Sequence, residues 1–177
     1  MKKHLMIDLE TMSLRADAAI VQLAGVIFDP TTGELGAEFN EHVTLDEGSG
    51  HIDPSTVRWW LRQGDAARAA LEEGQRASSS LGTVLEAFAR WYRESMPVAI
   101  WSHGATFDIP ILAAACERFS VYVPWDFRSA RDTRTLFDLV GKKLEELAPR
   151  EGTHHNALDD AKTQALAVSA AYRLLRK

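Results

Sequence analysis

The chain begins with a short apolar segment, residues 4–10 (HLMIDLE), that carries two acids two positions apart. If the segment is a β-strand, Asp8 and Glu10 lie on one face, because alternate side chains of a strand point the same way. Burying two carboxylates on an apolar strand is costly unless something compensates, and a divalent cation would compensate. The alternative is a strand that ends at Ile7 and leaves both acids in a solvated turn.

The segments that follow alternate between strand and helix patterns. Further strands are predicted at residues 20–28, 35–45 and 98–102, and the first two of these are expected to form a hairpin across Asp29-Pro30 and Gly33. Helices are predicted at residues 54–63, 81–94, 107–119, 133–140 and 156–175. The stretch 65–80, rich in Ala, Glu, Gly and Ser, is predicted to be a mobile connection. We therefore expect an α/β fold in a single domain, residues 1–177, with a mixed sheet flanked by helices.

Composition narrows the class of protein. No apolar run approaches the roughly 18 residues that a membrane span needs, and the N-terminus lacks the pattern of a signal peptide. A single cysteine, Cys116, excludes an internal disulfide and suits a reducing compartment, so a cytoplasmic protein without membrane contact is expected. The net charge of -5 argues against a protein that coats nucleic acid, but not against an enzyme whose acids are neutralised by cations.

Two later segments add further acids. Asp108 follows the predicted strand at residues 98–102, at a strand-to-helix turn from which it can project toward the end of the sheet; a favourable interaction with the helix dipole is the alternative. On the last helix, Asn156 is the expected N-cap and Asp160 leans toward the apolar stripe, with His155 just before the helix. The alternative is that Asp159 and Asp160 serve only the helix dipole and that His155 is a surface residue.

Together these segments predict a cluster of carboxylates. Oxygen ligands alone suit Mg²⁺ or Mn²⁺ rather than zinc. Two such ions about 4 Å apart can clamp a phosphodiester and activate a water molecule.

These motifs resemble those of the DEDDh exonucleases, a family with the ribonuclease H-like fold. Asp8-Leu9-Glu10-Thr11 matches the first motif, Phe107-Asp108 the second, and the His-x4-Asp spacing of His155 and Asp160 the third. The resemblance spans nearly the whole chain. The compact length and the segment STVRWWLRQ, residues 55–63, are most similar to small phage or prophage members, some of them grouped with exodeoxyribonuclease VIII-like or exoribonuclease proteins. The competing register pairs His154 with Asp159. Many members carry His-Asn-Ala where this chain has His103-Gly104-Ala105, so His103 is a candidate to replace the usual Asn contact.

The resemblance implies 3'-to-5' hydrolysis of single-stranded DNA or RNA to nucleoside 5'-monophosphates, with two Mg²⁺ or Mn²⁺ ions. It implies that Asp8 bridges both ions, that Glu10 and Asp160 hold the ion with the attacking water, and that Asp108 acts through the waters of the second ion. His155 would be the general base. Relatives often form homodimers. Non-catalytic nucleic-acid binding and polymerase-associated proofreading on the same fold are the alternatives.

Substrate contacts are expected near the first two motifs. The residues concerned are Thr11, Met12, Leu14, His103 and Phe107. For Met12 and Leu14, packing is the alternative to a wedge against the terminal base. Trp59 and Trp60 are adjacent on a helix, so one is expected to pack inward while the other either stacks on a base or packs. The basic residues Arg128, Arg131 and Arg134 either meet phosphates, form a solvated face or contact a second subunit.

Overall fold

Five strands form one mixed sheet at the centre of the protein. The computed structural model describes residues 3–46, 48–150, 152–153 and 155–176. The strands are β1 (His4–Thr11), β2 (Ile20–Phe28), β3 (Leu35–His42), β4 (Ala99–Ser102) and β5 (Ala130–Asp132). Their spatial order is β3-β2-β1-β4-β5: β2 is antiparallel to both β1 and β3, whereas β4 is parallel to both β1 and β5. The predicted mixed sheet is confirmed, and β1 lies at its centre.

Helices cover both faces of the sheet. They are α1 (Pro54–Leu61), α2 (Asp65–Arg76), α3 (Leu81–Ser95), α4 (Asp108–Arg118), α5 (Thr133–Leu139), α6 (Leu144–Leu147) and α7 (Ala157–Leu175), with a 3-10 turn at Phe127–Ser129. Among the described residues, none of these helices has the length and apolar character needed to cross a membrane.

The two faces of β1 enter different parts of the core. Leu5, Ile7 and Leu9 pack on one side with α3 and α4, where Phe88 and Leu112 are fully buried. Met6 lies on the other side and packs with the alanine-rich face of α7. Because alanine side chains are small, α7 can approach the sheet closely, which brings its first turn near the end of β1.

One prediction about the middle of the chain was wrong. Residues 65–76 form α2 instead of a mobile connection. The Gln75 side chain holds this helix to the end of β3, because its amide nitrogen donates to Val43 O at 2.7 Å and its oxygen accepts from Leu45 N at 3.0 Å. Leu71, on the same helix, packs against the buried cluster that contains Met12 and Trp60.

Gly50 is expected to be essential for the loop that leads into α1. Its φ of +122° disfavours any residue with a Cβ, and a Cβ at this position would lie 2.6 Å from Asp17 O and 2.9 Å from Ala18 C. We expect Gly50→Ala to lower the free energy of unfolding by about 1–3 kcal/mol or more, measured by thermal denaturation. Gly64→Ala is the matched control, since a Cβ there meets no atom within 4 Å. Equal melting temperatures for Gly50→Ala and wild type would contradict the expectation.

Candidate active site

β1 continues through both of its acids. Asp8 pairs with Ala24 of β2, and Glu10 pairs with Gln22, so the alternative of a strand that ends at Ile7 is wrong. Both acids lie on the Met6 side of the strand, which faces α7. Glu10 is buried and Asp8 is half-buried.

Asp108 is held against β1 by the turn that starts α4. It is the first residue of α4 and only 3% exposed, and its Oδ1 accepts a hydrogen bond from Leu9 N at 3.2 Å. The preceding turn depends on Gly104, whose φ is +109°. Asp132 Oδ1 accepts from the backbone N–H groups of Gly104 and Ala105 at 3.2 and 3.3 Å. Asp132 also caps α5, so one side chain stabilises the start of two helices.

The first turn of α7 brings Asp160 to the same place. The Asn156 side chain accepts hydrogen bonds from the backbone of Leu158 and Asp159, which confirms it as the N-cap. Asp160 is 8% exposed, and its carboxylate accepts from His155 N at 3.2 Å and from the Arg150 guanidinium. Four carboxylates from β1, α4 and α7 therefore meet at one end of the sheet.

Two glutamines that were not singled out from the sequence align α7 with the sheet. Gln164 Nε2 donates to Asp8 Oδ1 at 2.8 Å. Gln22 Oε1 accepts from Ala157 N at 3.1 Å, which fixes the start of α7 over β2. The spacing of Gln164 four residues after Asp160, on the same helix face, is the signal that could have identified it.

His155 lies beside two of the acids. A ring nitrogen of His155 and carboxylate oxygens of Glu10 and Asp160 all lie within 4.8 Å of one another. The backbone of His155 is left-handed, with φ of +61°. In the competing register, Asp159 Oδ2 instead accepts from Thr153 N at 2.8 Å, and His154 lies outside the described residues.

The clustered acids hold protons far more tightly than isolated carboxyl groups. Burial raises the pKa of Asp8 well above its usual value, and the charges of Asp108, Glu10 and Asp160 raise it further. Burial also raises the pKa of Glu10 to about 8. It raises the pKa of Asp108 to about 7, although the hydrogen bond from Leu9 N opposes this shift. Near neutral pH the site therefore favours either protons or cations.

The predicted substrate contacts fall into two groups. Thr11, Leu14 and Phe107 line a cavity of about 410 Å³ next to the acids, together with Leu9, Glu10, Ser55, Thr56 and Trp59. Met12 is only 6% exposed and packs in the core beside Trp60. His103 Nδ1 lies 2.7 Å from Thr133 Oγ1, and burial lowers the pKa of its imidazole. Neither Met12 nor His103 is part of the lining of the cavity.

The two adjacent tryptophans on α1 differ in exposure. Trp60 is 4% exposed and Trp59 is 42% exposed, so one tryptophan packs inward, as predicted.

The three arginines predicted as candidate phosphate contacts, Arg128, Arg131 and Arg134, are all exposed. The positive charge of Arg134 lowers the pKa of Asp108.

The donor set fits hard divalent cations. Carboxylate oxygens are the ligands that Mg²⁺ and Mn²⁺ prefer. Gln164 Oε1 is buried beside Asp8 and has no hydrogen-bond partner among the described residues, so the site also holds an unused oxygen acceptor. The Arg150 guanidinium, which sequence reasoning missed, pairs with Asp160 and shows that a cationic group is favoured there.

Solved structures with similar folds were found at low sequence identity. The nuclease domain of 3'hExo, a DEDDh family member bound to rAMP, has a TM-score of 0.62 and 15% identity, covering 99% of this chain and 92% of its own. S. pombe Pop2p in its Mg²⁺- and Mn²⁺-bound form has a TM-score of 0.66 and 14% identity, covering 94% and 81% of the two chains. These neighbours confirm the predicted ribonuclease H-like α/β fold.

Sequence comparisons identify the family. An exodeoxyribonuclease of Enterobacteria phage T4 is 28% identical over 124 residues, which cover 60% of this chain and 52% of the phage protein. The chain thus spans about half the length of that curated relative. A family model described as the 3'-5' exoribonuclease Rv2179c-like domain matches residues 3–172. Because this match covers nearly the whole chain, the protein belongs to the 3'-5' exoribonuclease Rv2179c-like domain family.

Proposed function

We propose that the protein removes nucleotides one at a time from the 3' end of single-stranded DNA or RNA, with two divalent cations and a histidine base. The observation that carries this proposal is the convergence of four carboxylates with His155 beside a cavity. The family description and the fold neighbours support the same reaction class. The identity to the T4 protein supports placement among small phage or prophage exonucleases.

The cations would be held by Asp8, Glu10, Asp108 and Asp160. When bound, they would supply charge neutralisation at the scissile phosphate and a water molecule of lowered pKa. Gln164 keeps Asp8 oriented through its 2.8 Å hydrogen bond, and Leu9 N keeps Asp108 oriented. These contacts hold the two carboxylates in place before any substrate binds, which is the preorganisation that catalysis needs.

His155 would take the proton from the attacking water. The oxygen of that water bonds to phosphorus, the bond from phosphorus to the 3' oxygen of the penultimate nucleotide breaks, and that oxygen takes up a proton from solvent. The products are a nucleoside 5'-monophosphate and a strand one nucleotide shorter with a new 3' hydroxyl. The imidazole must be neutral to accept the proton of the attacking water.

The cavity beside the acids would hold the terminal nucleotide. Its volume of about 410 Å³ is ample for one nucleotide, and Leu14, Trp59 and Phe107 give it apolar and aromatic walls on which a base can stack. Leu14 is 78% exposed and projects from the loop after β1. An unpaired end is favoured because a base must leave its helical stack to enter this space. Homodimer formation and a cytoplasmic location stay predictions.

The proposal is tested by incubating labelled single strands of DNA and RNA with Mg²⁺ and, separately, with EDTA. We expect loss of label from the 3' end of at least one strand type with Mg²⁺ and no cleavage with EDTA. Binding without cleavage in both conditions would refute the proposal and favour a non-catalytic module. The comparison of DNA with RNA identifies the sugar that the site accepts.

The raised pKa values predict an unusual dependence of stability on pH. Because the folded pKa of Glu10 (about 8) and of Asp108 (about 7) exceed the unfolded values near 4, the folded metal-free protein binds more protons than the unfolded chain between these limits. The contribution of these groups to stability is therefore present at low pH and lost as pH rises from about 4 to 8. We expect a loss of the order of a few kcal/mol.

This dependence is measured by thermal unfolding in EDTA and in Mg²⁺ at pH 5.5 and pH 8. Mg²⁺ is expected to raise the melting temperature much more at pH 8, where it binds ionised carboxylates. Glu10→Gln should flatten the pH dependence in EDTA. Equal stabilisation by Mg²⁺ at both pH values would be inconsistent with cation binding at this cluster.

A further inference from the structure

α1 places two tryptophans next to the imidazole of His155. The ring centroids of Trp59 and His155 are 4.7 Å apart in an edge-to-face arrangement, and those of Trp60 and His155 are 6.0 Å apart. The two indoles also meet edge to face at 5.2 Å. Such contacts are directional and restrict the orientation of each ring.

The two tryptophans differ in how firmly they are held. Trp60 is buried, and its Nε1 donates to Thr11 O at 3.0 Å, which ties it to the end of β1. Trp59 is 42% exposed and lines the same cavity as Glu10, Leu14 and Phe107. The Trp59 side chain therefore both lines the cavity and contacts the His155 ring.

The position of His155 depends on these neighbours. It lies just before α7 with φ of +61°, a conformation that costs a non-glycine residue free energy and persists only where its surroundings fix it. Its backbone N–H is bonded to Asp160, which fixes the main chain. The contact with the exposed Trp59 acts on the ring itself.

We propose that Trp59 is a positioning residue that couples occupation of the cavity to placement of the His155 imidazole. This inference rests on the proposed function. A base that stacks in the cavity restricts Trp59, and Trp59 in turn holds the imidazole against the site of the attacking water. Because a displacement of about 1 Å at a reacting group can reduce a rate roughly a hundredfold, loss of Trp59 should reduce kcat as well as substrate binding.

The test is a double-mutant cycle with Trp59→Ala and His155→Ala, on a 5'-labelled oligonucleotide that the wild type degrades. Trp59→Ala is expected to lower kcat about ten- to a hundredfold and to raise KM. Trp59→Phe, which retains an aromatic ring, should restore most of kcat. In the His155→Ala background, Trp59→Ala should still raise KM but should lower kcat no further. Leu61→Ala, 66% exposed on the same helix, is the control and should match the wild type.

Each outcome decides the inference. A change confined to KM would show that Trp59 is only a wall of the cavity, and an equal loss of kcat with and without His155 would show that it acts independently; both overturn the proposal. Trp59→Leu, which preserves apolar volume, replaces Trp59→Ala if thermal unfolding shows that the alanine variant is not folded. A wild type that cleaves nothing refutes the proposed function instead, so the two failures are distinguishable.

Discussion

Asp8→Asn is expected to reduce Mg²⁺-dependent hydrolysis roughly a thousandfold or more, while raising the melting temperature of the metal-free protein. The loss follows because a cation that neutralises charge at a phosphate contributes several kcal/mol, and each 1.4 kcal/mol is about tenfold in rate. The gain in stability follows because burial and three neighbouring acids disfavour the ionised form of Asp8. A neutral amide removes this repulsion and can still accept the hydrogen bond from Gln164.

Steady-state rates in Mg²⁺ and thermal unfolding in EDTA measure the two effects. Asp138→Asn is the matched control, because Asp138 is exposed on α5, outside the cluster, and should change neither quantity. Loss of activity together with a lower melting temperature would mean that Asp8 supports the fold. Unchanged activity would remove it from the site.

His155→Ala is expected to lower kcat about 10²- to 10⁴-fold, the range typical of a lost general base. The carboxylates remain in place, so binding of Mg²⁺ should persist, and calorimetric titration of the variant with Mg²⁺ checks this. The kcat of the two proteins in Mg²⁺ is the deciding measurement, and an unchanged kcat would remove His155 from this role.

His154→Ala is the control for the register of the third motif. In the His155–Asp160 register it should retain activity near that of the wild type. Loss of activity in His154→Ala with full activity in His155→Ala would reverse the assignment. The 2.8 Å bond between Asp159 and Thr153 N favours the first register, since it commits the Asp159 carboxylate to the loop.

The sequence was sufficient for four of the five strands and for the positions of the acids because their signals are local. Apolar runs mark β1, β2 and β4, and alternation along β1 places Asp8 and Glu10 on one face. The helix of Asp160 has an N-cap and an apolar stripe. Each of these patterns depends only on neighbours along the chain.

α2 and β5 were missed because their stability comes from contacts distant in sequence. The buried positions of α2 include Ala67 and Gly74, which give no apolar periodicity, and the helix is held through Gln75. β5 has three residues and is a strand only because it pairs with β4. Local propensity cannot reveal such elements.

The supporting residues of the site were missed for a similar reason. Gln164 and Arg150 belong to no motif, and their roles appear only once α7 and the loop before it pack against β1. Met12 was considered as a wedge against the base, but its side chain faces the core beneath α1. A residue next to a motif can therefore point to either side of the sheet end, and only packing decides which.

The polarity and the products of cleavage are the sharpest test of the proposed 3'-to-5' hydrolysis. Matched oligonucleotides with a free 3' hydroxyl, a blocked 3' end or a blocked 5' end are incubated with Mg²⁺, and the products are resolved over time. The proposed reaction gives nucleoside 5'-monophosphates from the earliest time points, with no cleavage when the 3' end is blocked and full cleavage when the 5' end is blocked. Internal fragments, release from the 5' end or nucleoside 3'-monophosphates would contradict it.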